Sequence, residues 1–275
     1  MALALCSIAS GSSGNCYVIA SKSTKVLVDA GISGKKIRES LESIQLSPYD
    51  IDGILITHEH IDHVKGAGIF SRKYDTPIYA NEKTWESMGC IIGKVEEHNR
   101  RILRTTETFS INDLKIKSFN IPHDAVEPIG YSFYKEDVQL SVATDIGYMT
   151  EEVFCEICKA DFLVLESNHD VEMLKVGKYP WNVKKRILGE KGHLSNIDAG
   201  KILINILKSQ KKRPEVLLAH LSHENNFPQM AHQTIKNILE EEEYYIGKDI
   251  NLYIALREGI SEIYKIRKKE LCTNG

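Results

Sequence analysis

The sequence predicts an α/β fold, and three observations support that prediction. Short apolar runs bounded by turn residues alternate with longer amphipathic stretches along the 275 residues, which is typical of strands interleaved with helices. No Pro- or Gly-rich linker and no internal repeat divides the chain. Hydrophobic residues make up 42% and charged residues 27% of the sequence, the balance of a globular protein with a packed core. We therefore expect one α/β domain over residues 1–275.

The first third of the chain predicts several strands and two helices. Apolar runs separated by Gly/Ser-rich and Ser/Lys-rich turns predict strands, the first two as a hairpin. These strands cover residues 3–9, 16–20, 26–29, 53–57 and 77–80. Ser33 has the residue type of an N-cap, and Ile37, Leu41 and Ile44 follow at helical spacing. Helices are therefore expected over residues 33–44 and 64–74.

The remainder of the chain is predicted by the same two patterns. Strands are expected over residues 114–121, 129–134, 139–144, 162–166, 215–219 and 251–255. Helices are expected over residues 151–159, 196–208 and 229–243. The late helices follow the strand-rich middle without a linker, which again favours one α/β domain.

The overall charge gives no argument for a nucleic-acid or membrane partner. Lys and Arg number 35 against 38 for Asp and Glu, a net charge of −3, so any basic surface must be local. The apolar start of the chain is too short for the core of an export signal or for a bilayer span. We therefore expect a cytoplasmic protein with no membrane segment.

The cysteines form no framework of regular spacings. They are Cys6, Cys16, Cys90, Cys155, Cys158 and Cys272. The pair Cys155-x-x-Cys158 could be half of a zinc site or a redox pair, but no second pair accompanies it. We interpret the pair as buried thiols on an amphipathic helix in a reducing compartment.

The strongest chemical signal is Thr57-His-Glu-His-Ile-Asp-His63, directly after a predicted buried strand. His58 and His60 are two residues apart, so in extended backbone both point to the same side, toward one ion. Asp62 and His63 follow where the chain turns and can reach a second ion. Imidazole and carboxylate suit zinc, iron and manganese. The alternatives are a closed structural zinc site or surface histidines; a structural site favours cysteine, which is absent from this segment.

The HxHxDH segment resembles the signature of the metallo-β-lactamase fold superfamily, and further elements of that family's pattern follow in order. The resemblance implies an α/β fold of the αββα type, with two mixed β-sheets flanked by helices. It also implies two divalent ions per chain, zinc, manganese or iron, in a catalytic site. The implied ligands are His58, His60, Asp62, His63, His123, Asp145 and His220.

Individual roles follow from the same resemblance. Asp145 would bridge both ions, and Asp62 would be catalytic as well as a ligand. Asp29, at the end of an early strand, would support a ligand through a hydrogen bond. His223 lies three residues after His220 and competes with it. We favour His220 because it ends a predicted strand, where the family has its ligand.

Two segments resemble elements of the tRNA 3′-processing nucleases of this fold: Leu163-Val-Leu-Glu-Ser-Asn168 and Gly192-His-Leu-Ser-Asn196. The resemblance implies that His193 protonates the leaving oxygen and that Glu166 orients it. The alternative for His193 is a contact at the start of the following helix. A carboxylate at Asp145, where the β-lactamases usually have a thiolate, favours phosphodiester hydrolysis over antibiotic hydrolysis.

Residues 175–191 hold six basic residues and one acidic residue, with Tyr179 and Trp181 interleaved. Such a segment could contact phosphates and stack on a base. The alternative is a short solvated helix with Trp181 in the core. Substrate contacts are expected from Lys184, Arg186, Ser195 and Asn196.

Three segments together resemble the bacterial YycJ/WalJ family: residues 9–15, 191–196 and 220–226. That family is described as 5′→3′ exonucleases on double-stranded DNA with a suggested role in mismatch repair. The resemblance implies DNA as the partner, a hydroxide between the ions as nucleophile, and His193 as the acid. A cyclic phosphodiesterase and a non-enzymatic metal-binding regulator of two-component signalling remain the alternatives.

Overall fold

The computed structural model describes residues 2–209 and 212–267, and two β-sheets with helices on their outer faces account for most of them. The strands in this part of the chain are β1 (Leu3–Ala9), β2 (Cys16–Ala20), β3 (Lys25–Val28), β4 (Gly53–Leu55), β5 (Ile78–Asn81), β6 (Arg100–Leu103), β7 (Thr108–Ile111), β8 (Leu114–Asn120), β9 (Ile129–Lys135), β10 (Val138–Ala143), β11 (Phe162–Glu166), β12 (Glu215–Ala219), β13 (Asn251–Ile254) and β14 (Tyr264–Ile266). The α-helices are α1 (Gly34–Ser43), α2 (Ile61–Val64), α3 (Ala67–Tyr74), α4 (Glu82–Ile92), α5 (Glu151–Ile157), α6 (Val171–Val176), α7 (Trp181–Ile187), α8 (Asn196–Ser209) and α9 (Pro228–Glu241).

Each sheet combines an antiparallel half with a parallel half. The first has the order β14-β1-β2-β3-β4-β5-β6, antiparallel as far as β3 and parallel beyond it. The second has the order β13-β12-β11-β10-β9-β8-β7, parallel as far as β10 and antiparallel beyond it. The predicted pair of mixed sheets is therefore confirmed, and so is the opening hairpin of β1 and β2.

Three apolar layers hold the sheets and helices together. One lies between the two sheets, and the others lie beneath the helices on each outer face. Strand β12 shows why: Leu217 and Ala219 belong to the layer between the sheets, whereas Val216 and Leu218 pack under α8 and α9. Successive side chains of a strand point to opposite faces, so an uninterrupted apolar strand fits between two apolar layers. The predicted αββα sandwich is confirmed.

The predicted helix over residues 64–74 is present as α3, but it begins three residues later because the chain breaks at Gly66 between α2 and α3. The Gly66 amide donates to the Ala30 carbonyl oxygen at 2.7 Å. A Cβ at this position would lie 2.2 Å from the Ile32 carbonyl oxygen. This close approach to the segment after β3 interrupts the helix and fixes the position of the metal-binding segment that contains α2.

Other differences concern residues 81–113 and the cysteines. Helix α4 and strands β6 and β7 were not predicted. The interpretation of buried thiols in the Cys155-x-x-Cys158 pair is wrong, because Cys155 is exposed and Cys158 is half-buried. Cys272 lies outside the described residues. Among those residues, no helix is both long and apolar enough to cross a membrane.

Candidate metal centre

The predicted site residues come together at the carboxyl ends of the strands. Asp29 follows β3, His58 follows β4 after two residues, and Asp145 follows β10 after one. Glu166 ends β11, and His220 follows β12 directly. Because parallel strands of one sheet end at the same edge, side chains from distant parts of the sequence meet there. The two sheets thus each contribute one side of a shared site.

Three of these residues have an unusual backbone conformation. Asp29, Asp145 and His220 have φ values of 59°, 59° and 54°, in the left-handed region. This conformation costs an L-residue about 1–2 kcal/mol, and such strain is concentrated at functional sites. Each of the three lies just after a strand, where the left-handed turn redirects the chain and leaves the side chain in the site.

One group of possible ligands consists of three histidines. A ring nitrogen from each of His58, His60 and His123 lies within 4.8 Å of the others, and His58 Nε2 is 3.0 Å from His60 Nδ1. His123 Nδ1 lies 3.0 Å from the Gly192 carbonyl oxygen. This bond fixes the tautomer and leaves Nε2 as the ligand atom. Three converging neutral imidazoles suit one divalent cation.

A second group combines Asp62, His63 and His220. Asp62 Oδ2 lies 3.6 Å from His63 Nε2 and 3.7 Å from His220 Nε2. Asp145 lies between the two groups. Its Oδ1 is 3.8 Å from His123 Nε2, and its Oδ2 is 3.5 Å from His63 Nε2. One carboxylate oxygen therefore faces each group, as a bridging ligand would require.

Two buried polar atoms test whether this donor set fits a cation. Asp145 Oδ2 and His220 Nε2 are buried and have no hydrogen-bond partner among the described residues. An unpaired buried polar atom is costly, and both atoms face the cluster of possible ligands. A divalent ion would satisfy both lone pairs at once. The residues therefore fit divalent cations.

Asp29 holds His63 from behind the centre. Its Oδ2 accepts from His63 Nδ1 at 2.7 Å, and its Oδ1 accepts from the Thr57 amide at 2.9 Å. Burial lowers the pKa of His63, but the charges of Asp29 and Asp145 outweigh it and raise that pKa to about 9. A metal must therefore displace a proton from His63. The geometry matches the supporting role expected for Asp29.

Glu166 is a buried carboxylate with four hydrogen bonds. Its Oε1 accepts from His193 Nδ1 and His220 Nδ1, both at 2.8 Å. Its Oε2 accepts from the amides of Ile146 at 2.7 Å and Leu194 at 3.1 Å. Burial alone would raise the pKa of Glu166, but the two histidines lower it well below its usual range. The link to His193 was expected, whereas the link to His220 was missed.

His193 and His220 both lie against Glu166, but they differ in exposure. The side chain of His193 is 18% exposed, with Nδ1 turned toward Glu166, so Nε2 is available to substrate. His220 is buried among the possible ligands. The side chain of the competing His223 is 70% exposed and pairs with Glu224. His220 is therefore the residue that can complete the second group.

Three of the four expected substrate contacts have structural partners instead. Lys184 is buried, and its ammonium donates to the Lys175 carbonyl oxygen at 2.8 Å. The Ser195 hydroxyl accepts from the Asp198 amide at 3.1 Å and so caps α8. Asn196 is buried and accepts from the Ser167 hydroxyl at 2.6 Å. These side chains hold the loops beside the centre, and we assign them no substrate contact.

Arg186 and Trp181 differ from those three. The side chain of Arg186 is 61% exposed, and its guanidinium pairs with Asp124, the neighbour of His123. Arg186 therefore keeps its expected position beside the centre. Trp181 is 68% exposed, so the alternative that placed its ring in the core is wrong. The basic segment presents an aromatic surface to solvent.

The segment Ser10-Gly-Ser-Ser-Gly-Asn15 also contacts the centre, which sequence reasoning missed. Ser10 Oγ accepts from the His220 amide at 2.8 Å, and Asn15 Nδ2 is 3.1 Å from His63 Nε2. Gly31, outside this segment, must be glycine because a Cβ there would lie 1.6 Å from the Asp62 carbonyl oxygen. Within residues 10–15, the clustering of Gly and Ser was the available sequence signal.

The chain is similar to several known proteins. Residues 24–213 match the family model described as Beta-lactamase superfamily domain. The exodeoxyribonuclease YycJ of Bacillus anthracis is 40% identical over 246 residues, 90% of this chain and 92% of the relative. The exodeoxyribonuclease WalJ of Streptococcus pneumoniae serotype 2 is 43% identical over 248 residues, 90% of this chain and 91% of the relative.

A solved structure supports the fold alone. The metallo-β-lactamase fold protein YhfI from Bacillus subtilis superposes with a TM-score of 0.71, covering 95% of this chain and all of that one. The sequence identity is 15%, so this likeness says nothing about substrate. The two sheets and their flanking helices are thus those of a known fold.

Proposed function

The chain belongs to the YycJ/WalJ family of the metallo-β-lactamase fold superfamily, and from this premise we propose that it degrades double-stranded DNA from the 5′ end. It is a metal-dependent hydrolase by its family and its cluster of histidines and carboxylates. The substrate class is supported by the name exodeoxyribonuclease that both relatives carry. The preference for duplex and the 5′→3′ direction extend the family resemblance. A cytoplasmic location and a role in DNA repair would accompany such a substrate.

The position of Asp145 carries the proposal. It faces His123 on one side and His63 on the other, which supports two ions sharing one carboxylate. His58, His60 and His123 would hold one ion, and Asp62, His63 and His220 the other. When bound, the ions activate water and neutralise charge on the phosphate. The ion identity is open among zinc, manganese and iron, because mixed histidine and carboxylate sites accept all three.

The chain's own residues handle the leaving group. His193 holds a proton on Nε2 and transfers it to the 3′ oxygen of the departing nucleotide. The O–H bond forms as the P–O bond breaks, so no free alkoxide is released. Glu166 orients the imidazole by accepting a hydrogen bond from its Nδ1. Arg186, which is exposed and pairs with Asp124 beside the centre, would contact a phosphate of the strand.

The proposal is tested with duplex DNA labelled at either end. With zinc, manganese or ferrous iron supplied in turn, the protein should release 5′ mononucleotides in order from the 5′ end. The Asp145→Ala variant, purified in parallel, should release none and so excludes a contaminating nuclease. Release from the 3′ end would contradict the direction. Hydrolysis of a cyclic nucleotide but not of DNA would favour a small-molecule phosphodiesterase instead, and bound metal without hydrolysis of either would favour the regulator.

The role of His193 predicts a dependence on the leaving group. His193→Ala should slow cleavage of DNA by about 10²–10⁴-fold, the usual contribution of a general acid. The same variant should lose much less on bis-p-nitrophenyl phosphate, because p-nitrophenolate leaves without a proton. Comparing the two substrates cancels any general damage to the fold.

Two measurements complete this comparison. Metal content should be unchanged, because His193 is proposed as an acid and not as a ligand. His98→Ala is the matched control, since His98 also pairs with a carboxylate, Asp75, but outside the clustered ligands. Equal losses on both substrates would assign His193 to positioning the phosphate, and loss of metal would make it a ligand.

A further inference from the structure

A pocket of about 390 Å³ is lined in part by the tip of the loop that contacts the metal centre. It is lined by Ser12, Ser13, His223, Arg257 and Glu258. None of these residues belongs to the ligand clusters found in the described part of the chain. Four of the five side chains can donate a hydrogen bond. The lining is therefore suited to an anion.

The loop Ser10–Asn15 contacts both the metal centre and this pocket. Its two ends contact possible ligands, through Ser10 with the His220 amide and Asn15 with His63. Its tip carries Ser12 and Ser13, which line the pocket. A single short loop thus contributes residues to both the pocket and the surroundings of the metal centre. One strand of nucleic acid could contact both at once.

The loop is held rigidly by its own hydrogen bonds. The Gly11 amide donates to Asn15 Oδ1 at 2.9 Å, and the Gly14 amide donates to the Gly11 carbonyl oxygen at 2.9 Å. Gly14 has a φ of 151°, and a Cβ there would lie 2.5 Å from Ile32. These bonds hold the residues on either side of the tip, which lowers the entropic cost of ordering the tip on binding.

Several donors in the pocket have no partner. Within residues 2–209 and 212–267, neither the amides nor the hydroxyls of Ser12 and Ser13 form a hydrogen bond. Arg257 Nε is buried and unpaired, although its Nη2 donates to the Ser222 carbonyl oxygen at 3.3 Å. The exposed donors of Ser12 and Ser13 are available to an oxyanion in the pocket.

The acidic groups in and beside the pocket already have partners, which leaves Arg257 for an anion. The acidic residue of the lining is Glu258, and the Glu258 carboxylate lies 3.4 Å from Lys36 Nζ. His223 Nδ1 pairs with Glu224 at 2.9 Å, so its Nε2 can face the pocket. Arg257 contributes a guanidinium group to the lining, and this group is positively charged at neutral pH. A doubly charged group with several acceptor oxygens suits this set of donors.

We propose that this pocket binds the 5′-terminal phosphate of the DNA strand, an inference that rests on the proposed function. With the terminal phosphate in the pocket, the next phosphodiester of the strand would lie at the metal centre. Arg257 would pair with the phosphate, and the tip of the loop would donate to its remaining oxygens. The pocket thereby selects a 5′-phosphorylated end and gives a 5′ mononucleotide as the product.

The test compares duplexes that differ only in a 5′-phosphate or a 5′-hydroxyl. Terminal phosphorothioate linkages slow hydrolysis, so binding of the holoenzyme can be measured by fluorescence anisotropy. The wild type should bind the phosphorylated end about 10- to 100-fold more tightly, the effect of one or two charge-assisted hydrogen bonds. Arg257→Gln should lose most of this preference. Arg72→Gln is the matched control and should keep it, because Arg72 also donates to carbonyl oxygens but lies outside the pocket.

A second variant guards against damage to the loop by Arg257→Gln. Ser12 and Ser13 are exposed, so the double change Ser12→Ala with Ser13→Ala should fold normally and still weaken the preference. Equal binding of both ends by the wild type would overturn the phosphate pocket. An unchanged preference in both variants would overturn it too. The hydrolysis assay decides the proposed nuclease activity separately, because the binding preference does not require cleavage.

Discussion

Replacing Glu166 with glutamine should damage the metal centre without removing any predicted ligand. All four partners of Glu166 are donors: the Ile146 and Leu194 amides and the Nδ1–H groups of His193 and His220. A carboxylate accepts from all four, whereas a carboxamide has one acceptor oxygen and one NH₂ group. In the variant, two of the four hydrogen-bond donors would therefore face the NH₂ group, which is itself a donor.

The size of the effect follows from where the carboxamide nitrogen points. If it faces the amides, two buried N–H groups lose their acceptor at about 1–3 kcal/mol each. If it faces the histidines, His220 must carry its proton on Nε2, the atom that would bind metal. Contacts that orient a ligand are worth about 10- to 100-fold in metal affinity or activity. Glu166→Gln should therefore lose at least one of stability and metal affinity.

Elemental analysis, metal titration and thermal unfolding of Glu166→Gln together measure this outcome. Glu156→Gln is the matched control, because Glu156 is also buried but bonds Tyr134 and Lys117 instead of a histidine. The control should lose stability and keep its metal. The reasoning is refuted if Glu166→Gln keeps wild-type stability, metal affinity and rate of DNA cleavage.

Three further changes test other parts of the structure. Asp145→Ala should weaken binding of both ions together, which a metal titration would reveal; loss of only one ion would exclude the bridge. Gly31→Ala should lower activity, because its Cβ would lie 1.6 Å from the Asp62 carbonyl oxygen and must displace that loop. Glu156→Gln should cost roughly 1–3 kcal/mol of unfolding free energy at pH 7. Burial raises the pKa of Glu156, but bonds from Lys117 and Tyr134 lower it below the usual 4.5. The stabilisation is therefore present above pH 4.5 and disappears as the pH falls through the lowered value, so wild-type and variant unfolding curves should converge in acid.

The strands were the most predictable part of the fold. Leu3–Ala9, Cys16–Ala20, Phe162–Glu166 and Glu215–Ala219 have the predicted bounds, because each is an apolar run closed by turn residues. Strand β6 could not be found in this way. Three of its four residues are exposed at the edge of a sheet, so no apolar pattern marks it. Strand β6 forms because it pairs with the neighbouring strand of the sheet, which its own sequence does not indicate.

Helix α4 was missed although its sequence carried a signal. Thr84, Trp85, Met88 and Ile92 form one buried face at helical spacing, and the Asn81 side chain accepts from the Thr84 amide as an N-cap. The break at Gly66 is a different case. It depends on the backbone after β3, which is distant in sequence and approaches only in the folded chain. Local periodicity cannot report such a contact.

The candidate site also has a part that the sequence predicts and a part that it does not. The ligand positions follow from residue types placed after strands, which the sequence displays. The contacts of Lys184, Ser195 and Asn196 do not, because their partners are a carbonyl oxygen, a helix end and a buried hydroxyl. A basic or polar side chain near a hydrolytic motif was interpreted as a substrate contact. Only the folded chain shows that its hydrogen-bonding capacity is already used.

Backbone strain explains why the site can nevertheless be found from its sequence pattern. Asp29, Asp145 and His220 each adopt a left-handed conformation just after a strand, where glycine would be easier by about 1–2 kcal/mol. Glycine at position 29 would remove the carboxylate that holds His63. Glycine at position 145 or 220 would remove a possible metal ligand. The chain therefore accepts local strain at three positions where side-chain chemistry is required. A charged or imidazole residue directly after an apolar strand, where a turn would prefer glycine, is itself an indication of function.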